Sequence, residues 1–423
     1  MANHNNKIGL WQGAALLATT LLGTSVFILP QMTINIAASN ALYTWLGLTL
    51  AIIPVALVFG KLAGKYPHAS GPAFFVQQAF GVVAGRTIGI IFLLVVPLGA
   101  PAAIIMTFQF VDSLISMPPV LQWFTQISVL VLLFVLNFRG IQISAKLQLG
   151  LTLIIVAIVA VLLGLSETSS TLTSTSPVVN SDIKLDLILV AAGLAFWSFL
   201  GIEAMAHLAN DFENPEKDLL PALIIGCTIV GLIYLICTYL QIHNPNTEKL
   251  AIVGVFNQLL GGYGAPIIGV LGIAGGIATV NVYTASLARL AWSFSNDGVL
   301  PCYFKALNQY GVPVRALNTL LVIMAIVITV TFLTDKHLED LITWVNGVFV
   351  IIYLASMLAA VKLLSRNQTP FIMAGCAFCV ALMWGLGWQM SYALILILIT
   401  APLLHWQHKS AIKRASPVVA TSK

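Results

Sequence analysis

The ten residues LLGTSVFILP, 21–30, lie inside an apolar run that carries no charge from Ile8 to Val58. That run is far longer than the roughly 20 residues one bilayer crossing needs. Its centre holds Gly, Thr, Ser and Pro. A helix interior favours none of these, since Gly is costly in backbone entropy and Pro removes a donor and clashes with the preceding turn. In hydrocarbon, opened backbone persists only where protein or a water-filled cavity satisfies its polar groups. The stretch therefore predicts an interrupted helix beside something polar.

The surrounding composition sets the class. Of 423 residues 59% are hydrophobic and 8% charged, and the mean hydropathy is +0.98, whereas ordinary soluble domains are about 25% charged. This predicts an all-α integral membrane protein. Apolar segments mark twelve spans, near 10–38, 42–62, 87–111, 120–138, 147–165, 187–209, 220–242, 264–292, 316–334, 341–363, 370–387 and 389–406. With the N-terminus inside, every one of the 19 basic residues except Lys184, Lys249 and Lys336 falls on the cytoplasmic side, as the positive-inside rule requires. Both termini are then cytoplasmic.

The same placement accounts for the net charge of +5 through inner loops near anionic lipid headgroups. No basic and aromatic interleaving suggests nucleic-acid binding. The start, MANHNNK, lacks a signal peptide's basic n-region, so the first apolar run is expected to stay as a span. No linker sets off a soluble unit, and 1–423 reads as one membrane domain. The pair in CAFC, 376–379, has redox or metal spacing but no His or acid partners, which favours cysteine as a small hydrophobe. No cofactor or metal is expected.

The sixth span, LILVAAGLAFWSFLGIEAMAHLAN (187–210), repeats the oddity of the first, with Gly201 as deep in it as Gly23 is in its own. The two are five positions apart in the order of spans, an odd number, so they cross the bilayer in opposite directions. Interrupted helices at matching positions of two inverted halves point to a transporter's binding site near the midplane. The plainer alternative is that Gly permits close helix packing, as in the small-xxx-small pattern of Gly272 and Gly276.

Several stretches together resemble the amino acid, polyamine and organocation superfamily: GTSVFILP, WSFLGIEA, DFENPEKDLLPAL (211–223) and SLARLAWSFSNDGVLP (286–301). A narrower likeness, to bacterial exporters of L-methionine and branched-chain amino acids, is carried by VVPLGAPAA (95–103), EAMAHLANDFENPE (203–216) and WVNGVFVIIYLASMLAAVKLL (344–364). The resemblance implies a five-plus-five inverted-repeat fold in the bacterial inner membrane. Its repeats would cover about 10–165 and 187–363, with a peripheral pair at 370–406 and a cytoplasmic tail at 407–423.

It further implies that the opened backbone around Leu21, Gly23, Thr24 and Ser25, and around Trp197, Ser198, Leu200 and Gly201, binds the α-amino and α-carboxyl groups of an amino acid. Amides of Thr24 and Ser25 would hold the carboxylate, and carbonyls near Leu21, Trp197 and Leu200 the amine, as helix-end dipoles favour. Trp197, with Phe199, would gate the ligand. Two departures stand out. Ser25 replaces a second family Gly, so either backbone approach is looser or the hydroxyl takes over a contact. Ile155 occupies the place of a lysine found in some proton-coupled relatives.

Glu203 is the acid placed well inside a span, and an ionisable group at that depth marks a pathway or relay by default. His207 follows one helical turn later. They read either as a proton-coupling pair, or as a structural carboxylate bonding the broken helix plus a histidine at the membrane edge. A cationic cargo side chain would need a buried partner, and none is available beyond Glu203. The expected cargo is a neutral, apolar amino acid, its side chain among residues such as Ile105, Met106, Phe199 and Val280, exported against protons. Import or exchange by the same fold, or ligand sensing, are the alternatives. A channel would need a repeated polar face and an enzyme a nucleophile with its base, and neither is read in the spans. Oligomeric state is left open.

Overall fold

The computed structural model describes residues 8–23, 25–68, 70–140, 145–170 and 182–415, and helices account for nearly all of them. In chain order these are α1 (Leu10–Leu22), α2 (Leu29–Ala37), α3 (Ala41–Lys65), α4 (Pro72–Phe80), α5 (Val82–Leu114), α6 (Pro119–Phe138), α7 (Ala145–Ser170) and α8 (Leu185–Ala195). There follow α9 (Ile202–His207), α10 (Pro215–His243), α11 (Ala251–Leu260), α12 (Gly264–Asn296), α13 (Val314–Thr334), α14 (Leu338–Leu363), α15 (Thr369–Leu386) and α16 (Ser391–Ala415). Among the described residues, ten helical stretches are long and apolar enough to cross a membrane.

The expected twelve and the observed ten differ where helices break or join. The 13-residue α1 spans only about 20 Å at 1.5 Å per residue, short of the ~30 Å core. The crossing-length stretches Leu29–Lys65 and Arg366–Ser410 each join two helices; a 3₁₀ turn at Gly387–Met390 divides the second, between α15 and α16. Two short helices escaped the apolar-run criterion. One is α4, inside an expected inner loop; the other is the ten-residue α11.

The interior forms where α1 and α3 pack on α10 and where α5 packs on α12. Small residues set these distances. A Cβ at Gly272 would collide with the Phe110 ring, so there the packing explanation of a glycine holds. Large apolar side chains exposed on α6, α13 and α16 form the surface that hydrocarbon would cover. At one end of the molecule Gln31 of α2 clamps the segment leading into α11. Its Nε2 donates to the Lys249 carbonyl (3.1 Å), and its Oε1 accepts from the Ala251 amide (3.0 Å). Beside it, Lys249 pairs with Asp112 of α5 at 2.7 Å.

Candidate functional site

The first break begins where α1 ends at Leu22. Residues 23 and 25–28 form turns held by short-range bonds, such as the Val26 amide to the Leu22 carbonyl (3.1 Å) and the Leu29 amide to the Ser25 carbonyl (2.9 Å). Pro30 in the first turn of α2 suits a helix start, where no backbone donor is needed. The second break is a 3₁₀ turn at Phe196–Phe199, an extended Leu200, and Gly201 at φ 137°. Side chains rarely tolerate that dihedral, so glycine is required. The breaks touch. A Cβ on Gly201 would lie 3.0 Å from Leu21 Cδ2 and 3.1 Å from Thr20 Cγ2.

Between them lies a cavity of about 60 Å³. Leu21 and Ser25 line it from the first break, Trp197 and Leu200 from the second, Val96 and Gly99 from α5, and Val345 and Phe349 from α14. Among the described residues no charged side chain lines it. Thr20, Thr279 and Tyr283 also line it, and these three continue into a cavity of about 680 Å³ flanked by Ile8, Arg289 and Gly311. The pair therefore makes a small chamber with an antechamber on one side. On the other side Phe27 and Ile28 are buried.

The predicted residues fall into three groups. Leu21, Ser25, Trp197 and Leu200 line the chamber, and Gly23 lines the antechamber, where a Cβ would come 2.7 Å from Thr279 Oγ1. Thr24 lies outside the described residues. Ser198 and Phe199 do not line either cavity: both are fully buried, and the Ser198 hydroxyl turns back to donate to the Ala195 carbonyl (2.8 Å). Of the side chains expected around the cargo, Val280 lines the chamber; Ile105, Met106 and Phe199 do not. Ile155, at the place of the absent lysine, lines the antechamber.

The backbone carbonyls are partly engaged. That of Leu21 accepts from the Tyr234 hydroxyl (3.2 Å), and that of Trp197 from the Leu200 amide (3.1 Å). Ser25 Oγ is a second, longer donor to the Leu21 carbonyl at 3.5 Å, whereas the Trp197 carbonyl, with two lone pairs, can accept once more. Ser25 Oγ lies 2.6 Å from Tyr234 Oη, so its hydroxyl has a protein partner of its own.

Glu203 is fully buried at the first turn of α9. Its Oε2 accepts from the Gly201 amide (2.9 Å) and lies 2.6 Å from Tyr353 Oη, which is also 3.2 Å from the Phe199 carbonyl. Among the described residues its Oε1 has no hydrogen-bond partner. His207 does not join it: the imidazole packs on Phe92, with ring centroids 5.4 Å apart, and lines the antechamber. The two residues are one turn apart yet serve different surroundings.

Sequence reasoning missed Tyr234, Tyr283, Tyr353, Thr279 and Asn346. Asn346 in α14 donates to the carbonyls of Gly193 (2.7 Å) and Leu194 (2.9 Å) where α8 ends. Its isolated amide in WVNGVF was a visible signal. So was the spacing of Thr279, Tyr283, Ser286 and Ser293, which puts a polar stripe on one face of α12. No repeated polar face was read there.

An all-helical, multi-pass membrane architecture with two opened helices meeting at an uncharged chamber is the arrangement of a solute carrier. The chain belongs to the amino acid permease family, whose model matches residues 8–417. It is an amino acid transporter. It is 34% identical to the L-methionine/branched-chain amino acid exporter YjeH of Escherichia coli K12, over 94% of this chain and 96% of that one. It is also 26% identical to an uncharacterized amino acid permease, YecA, of Bacillus subtilis 168, over 91% and 92% of the two chains. A cadaverine/lysine antiporter of Escherichia coli K12 is 22% identical over 93% of each.

Proposed function

We propose that the protein is a secondary active exporter of neutral, apolar L-amino acids (methionine, leucine, isoleucine, valine) in the bacterial inner membrane. It works by alternating access and proton antiport, through a twelve-span, five-plus-five inverted-repeat core with both termini cytoplasmic. The observation that carries this is the contact of Gly201 with Thr20 and Leu21 beside a chamber with no charged lining. Opened backbone there supplies dipoles for a zwitterion, and apolar walls suit an uncharged side chain. A lysine or diamine cargo would leave a buried charge without a partner. The similarity to an exporter named for methionine and branched-chain amino acids supports the same cargo.

Proton coupling is assigned to Glu203 through Tyr353. When Glu203 is ionised, the single Tyr353 hydroxyl hydrogen donates to Oε2. When Glu203 is protonated at that oxygen, it donates to Tyr353, and the tyrosine hydrogen turns to the Phe199 carbonyl, 3.2 Å away. The protonation state thus decides whether a carbonyl in the second break is bonded or released. His207 lines the route to that break and is the secondary candidate. The test is counterflow of labelled methionine by purified protein in vesicles, with Gly23→Ala, Trp197→Ala and Glu203→Gln made singly. Gly23→Ala and Trp197→Ala are expected to abolish flux. Glu203→Gln is expected to keep exchange but lose response to a pH gradient. Wild-type methionine flux indifferent to that gradient would overturn antiport.

A further inference from the structure

The antechamber has an electrostatic character that the chamber lacks. Of the side chains lining it, Arg289 carries a formal charge, His207 can acquire one, and none is acidic. Among the described residues none pairs with the Arg289 guanidinium, which is exposed to the cavity. Arg289 also stands at one end of the polar stripe of α12. Thr279, Tyr283, Ser286 and Arg289 follow at spacings of four, three and three residues, and all line the same cavity. Ten residues of helix separate Thr279 from Arg289, a path of about 15 Å at 1.5 Å per residue. Thr279 and Tyr283, at the other end, reach into the chamber.

We infer that Arg289 is the capture residue of the inner route: it binds the α-carboxylate of an incoming amino acid at the antechamber and repels cations that lack one. This rests on the transport reading above and adds a step before the chamber is reached. A guanidinium offers a carboxylate two parallel N–H bonds, a match no other lining side chain provides. A cavity of one sign also raises the local concentration of the opposite charge. From there the hydroxyls of Ser286, Tyr283 and Thr279 can pass the carboxylate along α12 toward the opened backbone. A free diamine meets only repulsion at the mouth, so selection against polycations begins before the uncharged chamber applies its own.

The role is positional, and its signature lies in apparent affinity and salt. In vesicles presenting the antechamber face, Arg289→Gln is expected to raise KM for L-methionine about tenfold, the scale of one lost charge-assisted pair, with maximal rate nearly unchanged. Arg289→Lys should recover part of that loss, because it keeps charge without the fork. Raising ionic strength should weaken wild-type affinity and leave Arg289→Gln nearly insensitive. L-Methionine methyl ester, a cation without a carboxylate, should compete no worse, and somewhat better, with Arg289→Gln than with the wild type. An unchanged KM in Arg289→Gln, or an equal loss for the methyl ester, overturns the inference while transport stands. Absence of methionine flux in the wild type overturns both.

Discussion

Glu203 shows how one side chain can serve helix geometry and, in the proposed cycle, proton coupling together. Its Oε2 accepts the Gly201 amide at the start of α9, as an acid near a helix N-terminus should. The same oxygen meets Tyr353, whose ring sits on Phe59 and Phe196 in a fully buried pocket. Tyr353→Phe keeps the ring and removes the hydroxyl, so Glu203 is one partner short in either protonation state. An unsatisfied buried group costs about 1–3 kcal/mol. The variant is therefore expected to unfold at lower temperature in detergent and to lose pH dependence of flux while retaining exchange. Unaltered pH dependence would show that the tyrosine only packs.

Among the elements, α8 and α14 are joined by Asn346, which satisfies two of the carbonyls that every helix C-terminus leaves open. Asn346→Leu takes a donor from both carbonyls, although that of Leu194 keeps the Phe196 amide, and it also deletes an Oδ1 that has no partner among the described residues. The net loss is expected near 1–2 kcal/mol, toward the low end for buried polar groups. A lowered melting midpoint with reduced counterflow is the outcome to measure. Element limits were legible where hydropathy alone decides them: the expected 120–138 and 316–334 are Pro119–Phe138 and Val314–Thr334. The breaks were legible because Gly and Pro oppose a continuous helix. What could not be read was which distant side chains close on those breaks. A tyrosine in an apolar span, like Tyr234 or Tyr353, is indistinguishable from filler until folding places it beside an opened carbonyl. Likewise i,i+4 spacing put Glu203 and His207 on one face without fixing where their side chains turn.

Across the whole molecule, the antechamber opens on the side of Arg289 and Gly311, and the α11 segment lies at the opposite end of α12. The proposed orientation makes the first side cytoplasmic. With the exposed Cys302 and the part-exposed Cys376 replaced by serine and the three buried cysteines kept, Ser286→Cys should react with a membrane-impermeant thiol reagent only in inside-out vesicles, and Glu248→Cys only in intact cells. Excess methionine should protect the former. Reaction of both from one side would refute the topology.

The closed end is fastened by the Gln31 clamp and by an ion pair whose lysine and aspartate are 66% and 28% exposed. A pair so open to solvent contributes about 0–1 kcal/mol, so little Coulombic work opposes its parting. Under the proposed alternation, dissolved electrolyte then weighs on how cargo arrives far more than on whether this end parts.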